Sequence, residues 1–191
     1  SNRNSVILKL DKARHFLFLN DPYSYEQKQP RVLFRGFVDP RPNRRLFMQM
    51  YENHPLVDAK NVKPHEHEAH DPNKLSLKQQ LQYRYIMALE GKDVASNLKW
   101  IMSSNSLAVR PKPTYEIWFM EGRLKPNYHY VEVKPDFSDL PERIAYYEAH
   151  PDEAKPIIAH AHEYIQQFLD PKKEDLISFL VLDKYFEKTK K

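Results

Sequence analysis

"YIMALEGKDVASNLKWIMSSNSLAVRP", residues 85–111, carries the pattern that decides the fold. Its apolar start, residues 85–91, has the length and composition of a buried strand and ends on a glycine. "DVASNLKWIMSS" (93–104) has helical spacing, with Asp93 placed to cap it. "SLAVRP" (106–111) is again strand-like. Strand, turn, helix and strand in this order form the repeating unit of a parallel sheet, because parallel neighbours need a crossover that a hairpin cannot supply.

The same alternation extends in both directions. "RVLFRGF" (31–37) reads as a strand ending at a glycine, and "PNRRLFMQMYENH" (42–54) as a helix with Asn43 as cap and Pro55 as stop. "LVDAK" (56–60) is the next strand, 61–74 a polar loop, and "SLKQQLQYR" (76–84) a Ser-capped helix. After 111, "TYEIWFM" reads as a short helix, "YHYVEVK" (128–134) as a strand, and "SDLPERIAYYEAH" (138–150) as a helix with Pro in its first turn. Two further helices, about 152–169 and 173–188, close the chain. The expectation is an α/β fold: a Rossmann-like parallel sheet covered by helices on both faces, with extra C-terminal helices. Residues 1–30 read as an N-terminal extension or linker, Ser1 and Asn2 as a tag-cleavage scar, and 31–191 as the domain.

Composition narrows the function classes. The 191 residues are 41% hydrophobic and 13% aromatic, enough for one core. No apolar run is long enough to cross a bilayer, and the N-terminus lacks signal-peptide architecture. Cysteine is absent, which excludes disulfides and thiolate chemistry within the chain and suits a reducing, cytoplasmic setting. A net charge of +4 suits anionic partners without choosing among phosphates, acidic lipid and nucleic acid.

In open parallel sheets, ligands bind outside the carboxyl ends of the strands. Two of the three glycines stand at such ends: Gly36 after "RVLFR" and Gly91 after "YIMALE". Glycine relieves the φ restriction there and lets another group come close to the backbone. Arg35, Arg44, Arg45, Lys92 and Lys99 lie nearby and suit a diphosphate, as does a following helix N-terminus. Neither turn is a Walker loop or a G-x-G-x-x-G fingerprint, so an ordinary turn and a phosphate-binding turn are about equally supported.

Residues 90–144, "EGKDVASNLKWIMSSNSLAVRPKPTYEIWFMEGRLKPNYHYVEVKPDFSDLPERI", closely resemble the C-terminal signature of family 90 glycosyltransferases. "VLFRGF" followed by "RPNRR" and "HPLVDA" resembles an earlier motif of that family, and "SLKQQLQYRYIMALEG" its lead-in to the glycine turn. The likeness runs from about Asp21 to the C-terminus and is nearest the bacterial lipopolysaccharide-core branch. It implies the C-terminal, donor-binding lobe of a two-lobed glycosyltransferase B architecture, acting at the cytoplasmic side of a membrane. The implied donor is a UDP-sugar and the implied acceptor a lipopolysaccharide or other glycan. The catalytic base is expected in an N-terminal lobe that no segment here matches, so the chain is expected to bind donor without competent chemistry of its own.

By the same resemblance, Arg35 and Gly36 match the F-R-G turn, and Arg44 or Arg45 the arginine that holds the diphosphate. Phe37 stands where the O-glucosyltransferase branch carries serine. Gly91, Asp93, Ser96, Asn97 and Lys99 fall in a second phosphate and ribose segment. Asn97 occupies the place of a phosphate-binding arginine, a charge that Lys99 would replace. Glu116 reads either as an acid against ribose hydroxyls or as a helix-surface glutamate. No D-x-D motif is present, and the expectation is that no metal ion is required.

Other candidates have blander readings. "HEHEAH" (65–70) offers imidazoles to a transition metal but lies in a polar loop without a second cluster. His160 and His162 fall two apart on a helix, hence on different faces. Trp100, Trp118 and Phe119 read as core ahead of a base-stacking wall. Tyr83, Arg84 and Tyr85 accompany no RNA-binding signature, and the terminal "DKYFEKTKK" reads as a solvated helix end, with membrane-surface attraction the lesser reading. A non-catalytic nucleotide-binding or scaffolding module is the competing function, with nucleic-acid binding a distant third. Oligomeric state is not indicated.

Overall fold

The structure, a computed structural model, describes residues 6–7, 17–63 and 71–189. Its centre is a five-stranded, wholly parallel sheet in the order β2-β1-β3-β4-β5. The strands are β1 (Gln29–Gly36), β2 (Val57–Asn61), β3 (Tyr83–Met87), β4 (Leu107–Arg110) and β5 (Val131–Glu132). Between them run α1 (Pro42–Tyr51), α2 (Leu77–Gln80) and α3 (Leu98–Met102). The chain ends in α4 (Leu140–Ala149), α5 (Pro151–Gln166) and α6 (Pro171–Thr189).

Side-chain alternation along the strands explains the two-sided packing. Val32 and Phe34 of β1, Tyr85 and Met87 of β3, and Leu107 and Val109 of β4 join a core built with Phe47, Phe137, Leu140 and Ile144. Leu33, Ile86 and Ala108 point the other way, into a second core with Leu98, Ile101, Phe119 and Ile165. Both faces are therefore buried, and each strand reads as a nearly continuous apolar run. The stretch before β1 also packs on the body: Leu17, Phe18, Leu19 and Tyr23 lie against the second core. Lys28, 2% exposed, pairs with Asp21 at 2.7 Å beneath it.

Sheet order places the switch in winding direction between β1 and β3, because β2 lies outside β1 while β3, β4 and β5 proceed the opposite way. The turns that follow β1 and β3 therefore face one crevice, where ligands of open parallel sheets gather.

Several local expectations need correcting. Arg41, not Asn43, is the N-cap of α1, and the helix ends at Tyr51, before Pro55. Asn43 instead turns its side chain to the Glu90 carbonyl (3.1 Å) and to the amide of Arg44. Asn97, not Asp93, precedes α3, which is only one turn long because residues 93–97 form an irregular entry. Ser76 does cap α2 through a reciprocal capping box with Gln79, but Tyr83 and Arg84 belong to β3. "TYEIWFM" is not helical: a short 3-10 turn, Glu121–Arg123, follows it instead. The strand expected over 128–134 is reduced to two residues.

Candidate functional site

The two glycines do converge, though not on open space. Neither adopts a positive φ, so the relief of backbone restriction expected of them is not used. Close approach is used: at Gly91 the nearest group is the guanidinium of Arg44, and at Gly36 the Phe34 ring comes first, at 3.1 Å, with the same guanidinium behind it. A Cβ added to Gly36 would meet Arg44 Nη1 at 3.3 Å, and one added to Gly91 would meet Arg44 Nη2 at 3.2 Å. From the first turn of α1, Arg44 donates from Nη1 to the Phe37 carbonyl (2.8 Å), from Nη2 to the Leu89 carbonyl (2.7 Å) and from Nε to the Glu90 carbonyl (3.1 Å). One side chain thus staples the end of β1 to the end of β3. Burial lowers its pKa, and the neighbouring Arg41 adds to the effect. The planar fork makes the arrangement specific, since a lysine cannot reach three carbonyls in fixed directions.

Two clefts open on either side of this staple. The first, about 290 Å³, is lined by Arg35, Gly36, Arg44, Ser96, Asn97 and Trp100, among others. The second, about 380 Å³, is lined by Asn43, Glu90, Gly91, Arg110, Lys112 and Tyr115, with Pro42, Pro111 and Pro135 as walls. The first gathers five of the nine donor-site candidates named from the sequence: Arg35, Gly36, Arg44, Ser96 and Asn97.

Those residues differ in what they already hold. Arg35 donates to the Phe34 and Asp58 carbonyls and pairs with the Asp58 carboxylate at 2.8 Å. Its Nε is buried without a partner. Tyr83 donates to the other Asp58 oxygen at 2.5 Å. Burial works to raise the Asp58 pKa, but the bonds from Tyr83 and Arg35 outweigh it and leave the carboxyl below its ordinary value. Arg45 pairs with Asp39 at 2.7 Å on the open surface, where such pairs contribute little. Asn97 donates to the Met87 carbonyl (3.1 Å), while Asp93 and Ser96 are exposed.

Lys99 does not bring its charge to the glycine turns. It is 1% exposed, 4.0 Å from Glu121 and close to the rings of Trp118 and Phe119, because α3 turns that face into the second core. Glu116 lines neither cleft and accepts from the Gly122 amide at 3.3 Å. Among the lesser candidates, His162 bonds the Ser104 carbonyl (2.9 Å) and His160 stacks on Tyr128. The "HEHEAH" stretch lies outside the described residues.

Sequence reading missed Glu90 and Arg110. The Glu90 carboxylate accepts from Arg110 Nη2 (3.1 Å), from the amides of Thr114 (2.9 Å) and Tyr115 (3.2 Å), and from the Thr114 hydroxyl. It thereby latches the 111–115 loop over the end of β3. The available signal was a charged residue at each of two adjacent strand ends.

The profile described as Glycosyl transferase family 90 matches residues 8–189. The chain belongs to glycosyltransferase family 90. This family 90 chain is 44% identical over 193 residues to O-glucosyltransferase LpsA of Dichelobacter nodosus, covering 97% of the chain and 58% of that protein. It is 28% identical over 172 residues to human protein O-glucosyltransferase 3, covering 86% of the chain and 33% of that protein. It is also similar, at 33% identity over 110 residues, to uncharacterized protein 035R of Invertebrate iridescent virus 3. The family 90 chain thus spans little more than half the length of the first of these relatives and a third of the second.

Proposed function

We propose that this chain is the donor-binding part of a glycosyltransferase that takes a sugar from a UDP-sugar and passes it to a glycan acceptor of the lipopolysaccharide class. The observation that carries the reading is the convergence of the Gly36 and Gly91 turns at the β1–β3 switch, beside a cleft with Arg35 and Arg44 on its wall. Membership of family 90 and the likeness to an O-glucosyltransferase support sugar transfer; the uridine diphosphate and the acceptor are our inference.

In this reading the diphosphate lies in the first cleft. Arg44 keeps one N–H on each Nη beyond its bonds to the carbonyls, and Arg35 supplies Nε. Fixed cationic donors stabilise the charge that grows on departing UDP, and being held in place beforehand they need no reorganisation during the reaction. Without a D-x-D motif, we assign that role to guanidinium groups rather than to a metal ion. We assign no general base to any residue described here. No described helix is long and apolar enough to cross a membrane, and we place the reaction at the cytoplasmic face of one.

Calorimetry with UDP and uridine tests the reading. UDP is expected to bind with a Kd of roughly 1 µM to 1 mM. Arg35→Ala is expected to weaken UDP about tenfold and uridine hardly at all, since the lost contact is to phosphate. No heat at millimolar UDP would refute it.

A further inference from the structure

The second cleft contains an arginine that the donor reading does not use. Arg110 ends β4 and is 1% exposed, yet its Nη1 has no hydrogen-bond partner. Its other nitrogens each make one bond, Nε to the Pro111 carbonyl (3.1 Å) and Nη2 to Glu90 (3.1 Å). A buried guanidinium N–H left unpaired is costly and uncommon in a folded protein. Glu90 does not satisfy it: the carboxylate meets Arg110 through Nη2 alone and accepts besides from Thr114 twice and from Tyr115. Glu90 is also the one carboxylate among the described residues that line the cleft. Against it stand Arg110 and Lys112 in the lining, and Arg41 at the rim, with Nε 4.0 Å from where a Cβ of Gly91 would sit. Local charge is therefore positive, the walls are rigid prolines, and one buried guanidinium nitrogen is left without a hydrogen bond.

We propose that this cleft is an oxyanion subsite, with Arg110 Nη1 donating to a carboxylate or phosphate carried by the acceptor glycan. Arginine suits the task because a charge-assisted bond from a pre-oriented fork is about twice as strong as a neutral one. In this proposal the guanidinium turns Nη1 out of its buried position toward the ligand while Nη2 stays on Glu90. Assignment to the acceptor rests on the donor occupying the first cleft across the Arg44 staple; the oxyanion chemistry of the cleft does not.

The test is a titration of the chain with glucuronate, inorganic phosphate and, as neutral control, glucose, followed by backbone amide NMR shifts with and without saturating UDP. Glucuronate and phosphate are expected to shift the amides of Gly91, Thr114 and Tyr115 with Kd in the low millimolar range, while glucose does not. Saturating UDP is expected to leave glucuronate in place. Arg110→Gln removes the donor but risks the fold by stranding Glu90. The rim variant Arg41→Ala/Lys112→Ala keeps the Glu90–Arg110 pair and is expected to weaken glucuronate about tenfold without lowering Tm. Equal binding of glucose, or silence of these amides at ~50 mM oxyanion, overturns the subsite. Competition between UDP and glucuronate at these amides overturns its assignment to the acceptor. If UDP binds nowhere while glucuronate still binds, the donor reading falls and the oxyanion subsite stands.

Discussion

Replacing Gly91 by alanine isolates the contact between the glycine turns and Arg44. Gly91 has no positive φ, so alanine is conformationally permitted and, by restricting the unfolded chain, would alone stabilise by about 0.4–1 kcal/mol. Against this, the new methyl group lies 3.2 Å from Arg44 Nη2, tighter than an ordinary contact. Nη2 cannot retreat freely, because it donates to the Leu89 carbonyl at 2.7 Å while Nη1 holds Phe37 at 2.8 Å. Hydrogen bonds from charged donors contribute about 1.5–3 kcal/mol each, so weakening one of them substantially costs more than the entropic gain. The expected result is net destabilisation by about 1 kcal/mol for Gly91→Ala. In an Arg44→Ala background the obstacle is gone, and the same change should become neutral or stabilising by about 0.5 kcal/mol. Equilibrium urea unfolding of the four proteins gives the cycle directly, with an expected coupling of about 1.5 kcal/mol. Identical effects of Gly91→Ala in both backgrounds would refute the claim that Arg44 is what the glycine accommodates.

Two more outcomes follow from the same geometry. Asp58 is held below its ordinary value of 3.8, so in acid the unfolded chain takes up the proton first. Its stabilisation is therefore full above pH 3.8 and declines as pH falls through the lower folded value; Asp58→Asn should flatten that part of a Tm-versus-pH curve, and an unchanged acid limb would contradict it. Glu90→Gln removes the countercharge of buried Arg110 and should destabilise by about 3 kcal/mol, with faster hydrogen exchange at Thr114 and Tyr115.

The fold was legible because strand and helix periods alternate along the chain, and because both-face burial leaves an unmistakable run such as residues 85–89. Short elements were not. α3 is one turn long, and its helical-looking approach, residues 93–97, is governed by contacts such as Asn97 to the Met87 carbonyl, which no local pattern announces. The positions of the glycine turns were visible; what they accommodate was not. Arg44 and Arg45 are adjacent in sequence, yet one is anchored by three carbonyls at the switch and the other pairs with Asp39 in solvent. Lys99 is a similar case: helical phase alone did not reveal that its side chain turns into an aromatic core. Glu90 and Arg110 meet only because β3 and β4 are neighbours in the sheet, a pairing that periodicity cannot specify.

The Arg44 staple also constrains how this sequence can diverge. Gly36, Arg44 and Gly91 are separated by up to 55 positions along the chain, yet a side chain at either glycine would crowd the same guanidinium, at Gly36 together with the Phe34 ring. Substitution of Gly91 becomes acceptable once the arginine has left, whereas Gly36 still faces the Phe34 ring at 3.1 Å; the arginine's loss strands the Phe37 and Leu89 carbonyls, while that of Glu90 keeps Asn43. Gly91 and Arg44 should therefore change together or not at all, inherited as one character across a crossover of the sheet, while Gly36 answers to Phe34 as well.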